Sequence, residues 1–101
     1  MLTTTTPDRA AQLITAHMTE AKRLRAASAL PNRPNWQRRE AIAKARREED
    51  EAANICVLAV RGRVAYVGLR MLAESTLATL EGARPGITNR AVSRMLTLAC
   101  D

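Results

Sequence analysis

The chain has 101 residues, 47% of them apolar, and sixteen Lys and Arg against ten Asp and Glu give a formal net charge of +6. That length holds one domain with a small core, and the balance of apolar and charged residues excludes a disordered chain. Two aromatic residues, Trp36 and Tyr66, and no Phe exclude an aromatic-rich β-sandwich; the Ala-rich remainder suits closely packed helices.

The opening MLTTTTPDR lacks the charged and apolar segments of a secretory leader. The longest apolar run, 55–60, falls far short of the ~18–20 residues that cross a bilayer. A cytoplasmic protein with no membrane association is expected. Cys56 and Cys100 stand apart from each other and from any His, so a zinc site has neither the ligand count nor the spacing it requires. Both are read as buried thiols. Cross-linking of two chains through Cys100 is the other reading.

The first helix starts at Thr6-Pro7-Asp8: a hydroxyl for the cap, a proline at the first helical position and an acid at the positive end of the dipole. Ala10, Leu13, Ile14, His17, Ala21 and Leu24 recur at helical spacing, and the helix is placed at 7–29. Residues 1–5 are expected to fray. Pro31 and Pro34 then break the chain, and Asn35 is a competent cap for a second helix at 35–52.

From Trp36 to Gly82 no proline intervenes. A single helix of that length would span ~70 Å, too long for the rest of so small a domain to cover. Glu48-Glu49-Asp50-Glu51, followed by Asn54, resembles the acidic start of a new helix, which places the break there. Against it, Glu40 and Lys44, Lys44 and Glu48, and Arg47 and Glu51 are opposite charges four apart, as in a continuous helix.

The third helix is placed at 54–82 as the long hydrophobic centre. A hairpin closed by Arg61-Gly62 fails because neither flank alternates apolar with polar, whereas Ile55, Leu58, Ala59, Tyr66, Leu69, Ala73 and Leu80 keep helical period. Arg63, Arg70, Glu74 and Glu81 share its one polar strip. Gly62 and Gly68 each cost ~1 kcal/mol against Ala in a solvated helix, and close approach of a neighbour at Ala59, Gly62 and Ala65 is the expected compensation. Gly82 and Arg84-Pro85-Gly86 end this helix. Thr88 is the expected cap of the last one, at 88–100, with Ile87 and Val92 as a hydrophobic staple. Val92, Met95, Leu96 and Ala99 form its apolar stripe, opposite Arg90, Arg94 and Thr97. The fold expected is an all-α bundle of about four helices, and self-association is expected because a small Ala-rich core is short of burial.

Charge is concentrated in the first half. Residues 33–47 hold six bases and the chain's single Trp; on a helix Arg38, Arg39 and Arg46 fall in one sector around Ile42. Such a face steers association with polyanions, or is plainly solvated. Trp36 is read as seating the helix on the core, with a partner anchor as the other reading.

Segment 86–96, GITNRAVSRML, resembles the recognition end of a helix-turn-helix: a turn glycine, Thr88 near the helix start, Val92 six residues after the glycine, then Ser93-Arg94. The resemblance implies that Arg90 and Arg94 reach DNA. It covers about eleven residues, and Gly82 and Pro85 fall where the motif has an uninterrupted second helix.

Catalysis is not expected. His17, the only histidine, sits on an apolar stripe and reads as a packed residue. There is no Gly-rich phosphate loop, and the 48–51 acids lack the glycine and alternating ligands of a calcium loop. No serine has a base beside it, and neither a cofactor nor a metal is implied. The expectation is a non-enzymatic regulator, adaptor or inhibitor that binds a protein or nucleoprotein through Trp36, Arg38, Arg39, Ile42 and Arg46. The alternatives are direct DNA or RNA binding by the 33–47 helix or by Arg90 and Arg94, and a structural homo-oligomer.

Overall fold

Four helices follow one another, α1 (Pro7–Ser28), α2 (Asn35–Arg61), α3 (Val67–Ala83) and α4 (Ile87–Cys100), in a computed structural model that describes residues 6–62 and 66–100, the last three of these as backbone. The fold is an all-α bundle, and there is no strand among the described residues. Residues 1–5, Arg63 and Ala65 lie outside them, as does the side chain of Cys100.

α1 begins as its sequence dictates. Thr6 is extended and its hydroxyl accepts the Arg9 N–H at 3.1 Å, with Pro7 opening the helix and Asp8 in its first turn. At the other end the Ser28 hydroxyl donates to the Arg25 carbonyl at 2.6 Å, and the chain reverses through Asn32, whose φ of 67° is one that Asn tolerates. Asn35 is not the cap of α2. Pro34 occupies that position without a side-chain hydrogen bond, and Asn35 is the first helical residue.

The expected break at the acidic run is absent: α2 continues through it to Arg61. The Glu40–Lys44 pair, 3.1 Å apart, braces it along one face. Glu48, Glu49 and Asp50 do not open a helix because their carboxylates answer His17, Arg25 and Arg84 on other elements. α2 stops at Gly62, whose N–H reaches the Leu58 carbonyl at 2.8 Å. The 54–82 helix is therefore divided, its first part ending α2 and its second forming α3. At Gly68 nothing stands within 4 Å of where a Cβ would be, so no close neighbour there offsets its helical cost.

The long central helix is α2, on which α1, α3 and α4 all pack. Its small residues Ala52, Ala53, Cys56 and Ala59 let the neighbours approach closely. Ile14 of α1, Leu69, Ala73 and Leu80 of α3, and Ile87 and Ala91 of α4 close over them, and Met18 and Leu77 link the two halves of this core. Fully burying Ile14, Val57, Leu80 or Ile87 contributes ~1.5–3 kcal/mol each.

α4 departs from expectation at its start and on its stripe. Thr88 is inside the first turn, and the cap is supplied from α3, where the Glu81 carboxylate accepts the N–H groups of Gly86 (2.7 Å) and Thr88 (3.2 Å). Ile87 and Ala91 are the buried positions; Val92 and Met95 are half-buried, and Leu96 is 57% exposed.

Candidate functional site

Beyond this core the first two helices project as a two-helix arm. No residue from 22 to 44 is buried, and the molecule measures 47 × 28 × 25 Å with a radius of gyration of 14.7 Å, against ~13 Å for a compact domain of this size. Residues 22–47 carry nine Lys and Arg and a single acid, Glu40, so the arm holds a larger positive charge than the chain's net +6.

The arm is bolted to the bundle by ion pairs around Glu49, a group of long-range contacts that the linear sequence did not disclose. Glu49 is 6% exposed. Arg25 of α1 donates to it through Nε and Nη2, both at 2.8 Å, and Arg84, in the link between α3 and α4, donates through Nη1 at 3.2 Å. The same Arg84 Nη1 lies 3.1 Å from Asp50 and donates to the Arg46 carbonyl at 3.2 Å. Burial alone would raise the Glu49 carboxyl; the hydrogen bonds and charges of Arg25, then Arg84, outweigh it and hold the group below its ordinary value. His17 and Glu48 form a further pair between α1 and α2, which accounts for the histidine on the apolar stripe structurally.

Of the residues expected to bind a partner, the structure keeps some together and separates others. Trp36 is not seated on the core: it is 60% exposed. Arg39 and Arg46 are exposed on the outer face of α2, and their side chains form no ion pair among the described residues. Ile42 is half-buried between them. Arg38 turns inward, where Nη2 donates to the Leu30 carbonyl at 3.2 Å and Nε is buried without a partner. Trp36 and Ile42, six residues apart, are separated by ~120° around the helix, whereas Arg39 is only ~60° from Trp36; the tryptophan stands between the outer face and the α1 side of the arm, where it also lines a furrow.

That α1 side holds an open furrow of ≈ 370 Å³. Leu24, Ala27 and Ala41, with Gln37, are its half-buried lining, and Trp36, Arg33 and Lys44 line it as exposed side chains. Arg23, which also lines it, is held by Glu20.

On α4 the two arginines assigned to a DNA groove behave differently from one another. Arg94 is half-buried and donates through Nε and Nη2 to the Asn54 side-chain oxygen of α2 at 3.2 and 3.1 Å, a contact that ties α4 to α2. Arg90 is exposed, with Nη1 3.5 Å from the Pro85 carbonyl. Cys56 is buried and free, and burial pushes its thiol up to about 12 despite a hydrogen bond with Thr76.

No group of three or more His, Cys, Asp or Glu side chains that could hold a metal ion occurs among the described residues, and no described helix is long and apolar enough to cross a membrane. Comparison with family models, with curated proteins and with solved structures finds no significant match to this chain.

Proposed function

We propose that this chain is a non-enzymatic interaction protein, a small regulator, adaptor or inhibitor, that docks a macromolecular partner through its basic arm. The observation that carries the reading is the separation of charge from core. Nine bases and one acid occupy an arm with no buried residue between 22 and 44, and Arg39 and Arg46 on its outer face form no ion pair among the described residues. Arginines of this kind, beside an exposed tryptophan, are the residue types that dominate interface energetics. The double variant Arg39→Glu/Arg46→Glu tests it. Its helix content is expected to match the parent while partner binding is lost; binding that survives the double reversal refutes the outer face as the docking surface.

Direct nucleic-acid binding is the second reading, supported by the same unpaired arginines. It favours the arm over α4, whose Arg94 is already engaged by Asn54. Anisotropy titration of labelled duplex and single-stranded oligonucleotides at ~50 and ~200 mM salt separates the two, because phosphate contacts weaken steeply over that range. Tight binding that persists at the higher salt and prefers one sequence would replace the first reading with the second. Self-association is a third reading, resting on Tyr66, Val67 and Met71, each more than half exposed at the start of α3. Sedimentation of the full chain tests it, and a monomer at high concentration removes it.

A further inference from the structure

The furrow between α1 and α2 has a chemistry distinct from the outer face of the arm. Its half-buried lining is mainly aliphatic, Leu24, Ala27 and Ala41 with the amide of Gln37, and its one aromatic wall is Trp36, 60% exposed. Two cations stand over it: Arg33, which forms no ion pair among the described residues, and Lys44, whose pairing with Glu40 at 3.1 Å leaves ammonium donors free. Resting on the reading of the arm as a partner-docking surface, we infer that this furrow seats one large apolar side chain of an acidic peptide segment, whose flanking carboxylates pair with Arg33 and Lys44.

Three observations select a peptide over a nucleic acid. The Glu40 carboxylate lines the furrow and repels a phosphate backbone laid along it, whereas a peptide can leave an apolar or neutral residue at that point. A single-stranded nucleic acid stacks successive bases on successive aromatic side chains, but Trp36 has no aromatic neighbour: Tyr66 lies past the far end of α2, ~40 Å of helix away. A mainly aliphatic lining beside exposed charges is also the anatomy of a protein interface, where a buried anchor supplies affinity and the rim supplies orientation. The volume, ≈ 370 Å³, lies at the lower end of the ~300–1,000 Å³ range of ligand sites, which suits one anchor side chain with its adjoining backbone.

The test uses the full chain as bait for a displayed library of short random peptides, followed by titration of the enriched peptides. Trp36 is the only tryptophan, so its emission reports occupancy of the furrow directly. Enriched peptides are expected to be acidic, to carry one large apolar residue and to shift Trp36 emission to the blue. Trp36→Ala is expected to weaken them about thirtyfold, the loss typical of a central anchor. Arg33→Glu and replacement of the peptide's apolar residue by Ala act in the same direction. Circular dichroism checks that the variants remain folded. The inference is overturned if nothing is enriched, if the enriched peptides bind Trp36→Ala as tightly as the parent, or if a single-stranded oligonucleotide displaces all of them and quenches Trp36 at lower concentration. Peptides indifferent to Trp36→Ala but lost in Arg39→Glu/Arg46→Glu would remove the furrow and leave the outer face of the arm as the docking surface. Indifference to both variants would remove the two together.

Discussion

Replacing Glu49 by Gln is the perturbation that most directly tests how the arm is joined to the bundle. The carboxylate accepts three hydrogen bonds from two guanidinium groups at 2.8, 2.8 and 3.2 Å while only 6% exposed. Breaking a buried ion pair by removing one partner costs ~3–5 kcal/mol when the surviving charge stays dry. Here the survivors are partly relieved. The Arg25 side chain is 42% exposed and can rehydrate, and Arg84, although 17% exposed, keeps Asp50 and the Arg46 carbonyl. Gln also retains one acceptor oxygen. The expected cost is therefore ~2–3 kcal/mol, which for a domain of ~100 residues lowers Tm by roughly 10–20 °C. Urea titration followed by far-ultraviolet circular dichroism measures it; Trp36, already exposed, is a poor reporter of unfolding. The pH dependence gives a second check. The folded-state value of Glu49 lies below its ordinary 4.5, so its stabilisation is complete above that value and is lost as pH falls through the lowered one. Glu49→Gln is expected to flatten the acid limb of the stability profile relative to the parent. A loss under ~0.5 kcal/mol, the range of an ordinary surface substitution, together with an unchanged acid limb, would refute the reasoning.

Glu81 holds the start of α4 from outside that helix, and its carboxyl is held low chiefly by the backbone N–H of Gly86 and then that of Thr88. Glu81→Ala is expected to speed amide exchange at Gly86 and Thr88 while leaving α1 untouched; unchanged exchange at both amides would sink the capping role. Gly86 has a φ of 89°, and an added Cβ would stand 3.1 Å from the Arg90 guanidinium. Gly86→Ala should cost ~1–2 kcal/mol by chemical denaturation, mainly from the backbone because the arginine can swing aside. The Cys56 thiol, pushed up to about 12 by burial, has almost no thiolate near neutral pH. In a Cys100→Ser background its alkylation should therefore track global unfolding, and rapid labelling of the native protein would contradict its burial.

Local chemistry made some of this structure legible. Thr6-Pro7-Asp8 set the start of α1, and the prolines at 31 and 34 set its separation from α2. The apolar period of 55–80 does belong to helix, but to the end of α2 and to α3 rather than to the one continuous helix expected at 54–82. The acids at 48–51 carry the signature of a helix start, and in the folded chain their partners are distant: His17 lies 31 residues from Glu48, Arg25 lies 24 from Glu49 and Arg84 lies 35 from Glu49. A pattern read within one or two turns cannot register such partners. For the same reason Arg84 read as a turn residue and Arg94 as a free cation, although each is a contact between elements. Trp36 failed in the opposite direction. Its size argued for the core, but it sits where α2 has already left the bundle and only α1 lies beside it. Of the expected site, Arg39 and Arg46 remain on the outer face, Trp36 belongs with the furrow, and Arg38 helps hold the hairpin closed through the Leu30 carbonyl.

The arm also makes the molecule's response to salt informative. Nine bases against one acid along residues 22–47 repel one another, and self-repulsion of this kind opposes the compact state. The ion pairs that join the arm to the bundle centre on Glu49, which is buried and therefore weakly screened, whereas Arg33, Arg39, Arg46 and Arg47 are exposed and strongly screened. Raising ionic strength from ~50 to ~500 mM shortens the Debye length from well above the spacing of charges on one helix to less than it. Repulsion in the arm should fall while the Glu49 contacts persist, so Tm is expected to rise with sodium chloride. Arg39→Glu/Arg46→Glu should raise Tm at low salt and respond less to added salt, since it removes part of the same repulsion. A parent Tm that falls with salt would mean that exposed ion pairs, such as Arg23 with Glu20 and Lys44 with Glu40, outweigh the repulsion. The positive field would then be internally balanced, and the arm would lose its claim to draw in an acidic partner.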